Sequence, residues 1–353
     1  MKIGRVLTFA VAVAVLGAAP ALVAQQNNQQ SKRDQEKRSQ QEQQDIQALV
    51  KLVDAVSMGQ QPAPTDIAVT WESNHFVKGG DSSTYIPFSL VLDKSKIATP
   101  AAAMYVRVVS KAPPAAPAAN GGRNNNRNEA AKVVYPWDNV HFLDVPADGK
   151  VSRAMALQPG EYEVFIGVKE KTVSNPPRNA PPAKLGLLRR DLSVPDFTKA
   201  ELVTSSVIVA SDIQPLTAPL GPAEQQEQPY TFGVMKVVPS PDFKLKKSGE
   251  LQVLFWVYGA QSDAMNKPDV MIEYSFHQKT AEGEKYFNKT APQALNATTL
   301  PPQFDVKAGH QLPGSLVVPL GSFPAGDYRL EIKITDKLSS KTLTQNATFT
   351  VES

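Results

Sequence analysis

Segments of the chain recur in the same order at a nearly constant distance, and this internal repeat constrains the fold more than any other feature. Phe76 and Phe88, in FVKGGDSSTYIPFSLVL, correspond to Phe243 and Phe255, in FKLKKSGELQVLFWVYG, at an offset of 167 residues. Met104, opening MYVRVV, corresponds to Met271, opening MIEYSF, again at 167. Gly160-Glu161-Tyr162-Glu163-Val164-Phe165-Ile166 corresponds to Gly326-Asp327-Tyr328-Arg329-Leu330-Glu331-Ile332, at 166. Each match is weak alone. Their common order and spacing predict two divergent copies of one fold.

The repeated segments have the character of strands. IPFSLVLD and LQVLFWVYG are short runs rich in β-branched and aromatic residues. YEVFIGV and YRLEIKI alternate, with Val164, Ile166 and Val168 on one face and Leu330, Ile332 and Ile334 in the corresponding places. Turn signals separate the runs, among them Gly79-Gly80-Asp81, Ala147-Asp148-Gly149 and Pro324-Ala325-Gly326. Many short strands with such turns predict an all-β chain with a sandwich in each half.

The Gly-x-Tyr-x-Val of Gly160, Tyr162 and Val164 resembles the start of strand F in immunoglobulin-like domains, as does the Gly-x-Tyr-x-Leu of Gly326, Tyr328 and Leu330. The resemblance implies a tyrosine corner, in which the hydroxyl bonds back to nearby backbone. It also implies a disulfide cysteine two positions after the tyrosine. Val164 and Leu330 stand there instead, and Trp256 falls on the run that reads as strand B rather than C. Immunoglobulin-like, fibronectin-III-like and other sandwiches all stay open on these residues.

The expected organisation is two tandem immunoglobulin-like β-sandwich domains, at 65–212 and 229–353, joined by a Pro- and Gln-rich linker at 213–228. One further strand, Ser205 to Ala210, is assignable to either domain. The copies differ in their loops. Lys111 to Ala131 reads as an insertion at a hairpin tip, and Lys171 to Lys184 lengthens a second hairpin.

Ahead of the sandwiches, Met1 to Arg5 is basic, Val6 to Gly17 is apolar, and AAPALVA follows. This pattern predicts a secretory signal peptide at 1–24, cleaved after Ala24 or Ala21. The segment 25–64 is expected to be a Gln-rich polar arm carrying a helix at 45–58 and a short linker. Ile46, Leu49, Val50, Val53 and Val56 recur at helical spacing, with Asp45 as the expected N-cap and Gly59 as the stop. That stripe must be covered, by the first sandwich or by another chain.

The chemistry carried by these residues is sparse. The chain has no cysteine, which excludes disulfides, thiolate nucleophiles, lipoprotein anchoring and cysteine-held metals. A net charge of +3 without a dense basic stripe speaks against nucleic acid as a partner. No apolar run in the mature part is long enough to span a membrane. No nucleophile elbow, His-Glu-x-x-His, phosphate loop or EF-hand loop occurs. His75 lies near Glu72 and His141 near Asp144, too few ligands for a metal site, and no cofactor is expected. Three Asn-x-Thr sequons, at Asn288, Asn296 and Asn346, read as chance. The candidate ligand contacts are Tyr135 and Trp137, beside the insertion, and Arg123 and Arg127 within it. Trp71, Tyr258 and Tyr286 complete the aromatics suited to stacking on a sugar. The expected function is that of a non-catalytic periplasmic or secreted interaction protein with a cell-envelope protein as partner. The alternative is a binder of cell-wall or extracellular polysaccharide.

Overall fold

A computed structural model describes residues 40–97, 101–112, 134–171 and 181–353. The proposed signal peptide, most of the Gln-rich arm and most of both hairpin insertions, with Arg123 and Arg127, lie outside the described residues. The chain divides into two units. Of the described residues, one comprises 40–73 together with Ser83–Asp196; the other takes Asn74–Ser82 and Phe197–Ser353.

In the first unit a helix, α1 (Gln40–Ser57), precedes the strands β1 (Val69–Asn74), β2 (Thr84–Leu92), β3 (Ala101–Ser110), β4 (Trp137–Asp144), β5 (Lys150–Leu157), β6 (Gly160–Glu170) and β7 (Leu185–Val194). β2 pairs with β5, while the second sheet has the order β4-β3-β6-β7. The side-chain period of two divides each strand into faces. Met104, Val106 and Val108 of β3 and Val164, Ile166 and Val168 of β6 are buried on one face. Ala103, Tyr105 and Phe165 are buried on the other, beneath α1.

The second unit contains β8 (Ile208–Pro215), a short helix α2 (Pro222–Glu227), β9 (Met235–Pro239), β10 (Lys244–Lys246), β11 (Glu250–Tyr258), β12 (Val270–Thr280), β13 (Gly283–Lys289), β14 (Gln293–Leu295), β15 (Leu312–Pro319), β16 (Gly326–Asp336) and β17 (Lys341–Glu352). One sheet runs β9-β8-β11-β15; the other runs β10-β17-β16-β12-β13, with β14 also on β12. Between them Phe255, Ile272, Tyr274, Phe276, Phe323, Leu330, Ile332 and Phe349 form one core.

The two units share one wiring. β2–β5 and β11–β15 are equivalent antiparallel pairs, and β4-β3-β6-β7 matches β13-β12-β16-β17. This is the B–E and C′–C–F–G pairing of immunoglobulin-like sandwiches, present twice. Both tyrosine corners form. The Tyr162 hydroxyl donates to the Gln158 carbonyl at 2.9 Å, and the Tyr328 hydroxyl to the Pro324 carbonyl at 2.8 Å. The first glycine of each motif has positive φ, +154° at Gly160 and +143° at Gly326, a conformation that disfavours any larger residue.

Four details depart from expectation. First, the Phe76–Phe243 match does not mark equivalent core positions: Phe76 packs in the second unit, and Phe243 is 40 % exposed with φ +56°. Second, Ile208–Pro215 is a strand of the second unit, paired with β11 and β9, and the stretch expected as linker ends β8 and contains α2. Third, α1 already includes Gln40, five residues before the expected start at Asp45. Asp45 is therefore inside the helix, buried, and ion-paired rather than capping. Fourth, Leu52 joins the buried stripe, whereas Val50 is only partly buried. The expected stop holds: Gly59, at φ +70°, and Gln60 donate to the Val56 and Ala55 carbonyls at 3.0 and 2.8 Å. These two bonds are the Schellman pattern.

Candidate functional site

Of the sequence candidates, Arg123 and Arg127 lie outside the described residues, and Tyr135 and Trp137 flank Pro136 at the start of β4. Tyr135 is half-buried, with the Arg107 guanidinium 4.1 Å above its ring. Trp137 is half-buried and opens β4 opposite Val108. Trp71 stacks on Phe88 at 4.9 Å, and the Arg190 guanidinium covers its ring at 4.3 Å. Tyr258 is buried in the second unit, its hydroxyl accepting from the Lys78 N–H. Only Tyr286, on β13, is broadly exposed, at 59 %. A sugar platform needs neighbouring exposed rings on one face; Tyr135 and Trp137 are two residues apart at the start of β4, while Trp71, Tyr258 and Tyr286 lie on β1, β11 and β13.

The histidines are similarly dispersed. His75 is buried with its Nδ1 3.0 Å from the Tyr230 hydroxyl, and burial lowers its pKa to about 4. His310 Nδ1 accepts from the Asp305 N–H at 2.9 Å. Among the described residues no group of three or more His, Asp or Glu side chains is placed to hold a metal ion.

Two arrangements do stand out. The first is the seat of α1 on the outer face of β3 and β6. Leu49, Leu52, Val53 and Val56 pack on Ala103, Tyr105, Phe165 and Leu187. Gly167 permits the approach, since a Cβ there would lie 3.2 Å from Leu49 Cδ2. Ion pairs flank the apolar stripe: Asp45 with Lys169, Asp54 with Arg107, and Glu42 with Lys171 at 3.4 Å. Arg107 also donates to the Tyr105 hydroxyl at 2.8 Å. Buried charges are tolerable only when paired in this way. The helix therefore closes this face of the first unit.

The second arrangement is the edge of β17. Edge strands present unpaired backbone groups, and proteins ordinarily blunt them with charge, proline, bulges or covering chain. β7, the equivalent strand in the first unit, is covered at Leu185–Leu187 by backbone bonds from Pro64–Ile67, and then carries Arg189, Arg190 and Asp191. β13 carries Glu284, Lys285 and Lys289, and β15 has Pro313 and Pro319. β17 has none of these between Lys341 and Thr350: no charge, no proline and no register shift along its pairing with β16.

Among the described residues its outer side is covered only at Thr350–Glu352, by β10. Thr350 donates to the Phe243 carbonyl and Glu352 accepts from the Lys247 N–H, so these even-numbered residues point away from β16. Backbone groups alternate sides along a strand. Thr342, Thr344, Asn346 and Thr348 therefore direct their N–H and C=O groups to the open side. Leu343 and Ala347 lie against the core while remaining partly exposed. Which strand ends a sheet depends on pairing, so this site was not readable as such. The uncharged run TLTQNATFTV was its only local signal.

No family model matches the chain, and no curated protein matches it. Solved structures similar to it include an immunoglobulin-like protein from Pseudomonas aeruginosa, at 11 % identity and TM-score 0.20, over 42 % of this chain and 97 % of that one. They also include a Salmonella alpha-2-macroglobulin, at 12 % identity and TM-score 0.20, over 80 % of this chain and 16 % of that one. The trypsin-activated alpha-2-macroglobulin of Escherichia coli matches at 9 % identity and TM-score 0.22, over 83 % and 17 %. The chain thus spans less than a fifth of those macroglobulins. Strand wiring and the paired tyrosine corners, not these likenesses, identify both units as immunoglobulin-like.

Proposed function

We propose that the chain is an exported, non-catalytic interaction protein that works in the periplasm or outside the cell and accepts an extended strand from an envelope partner. The open edge of β17 carries this reading. A row of unpaired N–H and C=O groups with alternating side chains is complementary to another polypeptide backbone, the mode known as strand addition. A polysaccharide offers no such ladder, and of the five candidate aromatics only Tyr286 is broadly exposed. Export is supported by the basic, apolar and small-residue segments of residues 1–24 and fits a chain without cysteine. No helix among the described residues is long and apolar enough to cross a membrane.

The test is affinity capture from solubilised envelope with the protein and with Thr344→Pro. Proline there removes an outward N–H and no β16–β17 bond, a placement sheets tolerate at edges. The reading expects a partner that the wild type retains and the variant loses. Equal recovery by both, or recovery by neither, contradicts it.

A further inference from the structure

We propose that the strand filling this edge is β17 of a second copy of the chain, paired antiparallel about a two-fold axis through Gln345. The inference rests on the reading of the edge as a contact surface and names its occupant.

The edge has two fixed limits. At one end the turn between β16 and β17 stops at Ser340; at the other, β10 occupies Thr350–Glu352. What remains is Lys341–Phe349, whose midpoint is Gln345. A two-fold there sets Thr342 opposite Thr348, Thr344 opposite Asn346, and Lys341 opposite Phe349. All four outward-pointing residues then meet outward-pointing residues, giving about eight backbone hydrogen bonds. Centring one residue later would pair Thr342 with Thr350, which β10 already holds. Centring on odd–even pairs would oppose groups that point away from each other.

The side chains suit the same register. Thr–Thr pairs are favourable across strands, and no like charges are opposed. On the core side Leu343 faces Ala347 twice, so the partly exposed apolar edge of each copy is covered by the other. A two-fold contact of identical strands closes on itself and does not propagate. That closure gives a reason for an edge lacking charge and proline to persist without aggregation.

The cysteine-free sequence provides a clean test. At the axis the two Gln345 positions form a non-hydrogen-bonded pair, with Cα atoms about 4.5 Å apart, within disulfide range. Gln345→Cys should cross-link to a dimer under mild oxidation. Thr342→Cys should not, because its own counterpart lies about 20 Å away. Absence of cross-linking at 345, or equal cross-linking at both positions, overturns the proposal.

Two double variants at exposed positions guard against a folding artefact. T342K/T348K opposes like charges twice, and T342K/T348E opposes unlike charges twice. Sedimentation should show dimer dissociation weaker by on the order of tenfold in T342K/T348E than in T342K/T348K. Identical behaviour of the two also overturns the proposal. If Gln345→Cys fails to cross-link while Thr344→Pro still abolishes capture of a different protein, the second-copy inference falls and the proposed function stands.

Discussion

Lys169→Met should undo the seat of α1, and the double variant D45L/K169M should restore it. The Asp45 side chain is 1 % exposed and that of Lys169 is 10 %, so neither charge has water to fall back on. Removing the ammonium takes the ion partner from a buried carboxylate, which costs about 3–5 kcal/mol. Replacing both groups by apolar side chains of similar volume removes the desolvation penalty with the attraction and is often neutral. The expected coupling between the two sites is therefore about 2–4 kcal/mol, well above the error of additivity for independent sites. The single variant should relieve this cost by releasing α1, because Leu49, Leu52, Val53 and Val56 hold only one face of a helix. Urea unfolding gives the energies, and amide exchange within Gln40–Ser57 reports release of the helix. A single-variant cost below about 1 kcal/mol, or a double variant no better than the single, would refute the reasoning.

Other perturbations probe the rest of the structure. His75 titrates near 4 when folded, against 6.5 when exposed, so folding favours its neutral form. The unfolded chain gains a proton first as pH falls, and about 3 kcal/mol of stability should vanish between pH 6.5 and 4. Denaturation of His75→Gln should lack that component, and an unchanged pH slope would count against the buried His75–Tyr230 contact. Tyr328→Phe leaves the Pro324 carbonyl without its hydroxyl donor and should cost about 1–3 kcal/mol by urea titration. Gly314→Ala would place a Cβ 2.3 Å from Phe255 Cζ, opposite it in the β11–β15 pair. Overpacking there should cost about 1–3 kcal/mol, read as a lowered Tm. Gly167→Val should lift α1 from β6 and speed proteolysis within Gln40–Ser57, while β3–β6 pairing persists by amide exchange.

What the sequence revealed was local. The Gly-x-Tyr motif specifies its own turn, strand and hydroxyl bond within five residues, so both corners and the strands behind them were legible. The buried face of the F strands followed from alternation, with Val164, Ile166 and Val168 and their counterparts Leu330, Ile332 and Ile334 all in the core. The seat of α1 was only half legible. Its stripe was visible, but Asp45 and Lys169 are 124 residues apart and no local pattern joins them. A clue did exist in YEVFIGV: opposite its alternating Val164, Ile166 and Val168 it carries Phe165 and Gly167, the mark of a strand covered on both faces, whereas YRLEIKI has charged residues in those places and one face in water. The exposed face of β16 bears this out, with Arg329 paired to Glu284 and Glu331, and Lys333 to Glu273. Asp45 resembles an N-cap by position, yet it lies within the helix, where Lys169 pairs with it and Lys171 with Glu42 one turn earlier. The edge of β17 was hidden because edges are set by long-range pairing, not by composition.

Residue-resolved amide exchange along β17 tests the central claim, that this edge is the contact surface. In dilute protein Leu343, Gln345 and Ala347 should be protected by β16, while Thr342, Thr344, Asn346 and Thr348 exchange rapidly. At high concentration, or with the captured partner added, those four should slow by at least tenfold while exposed loops stay unchanged. Uniform protection of the whole strand in dilute protein would contradict the claim, as would four amides that remain fast under every condition of association.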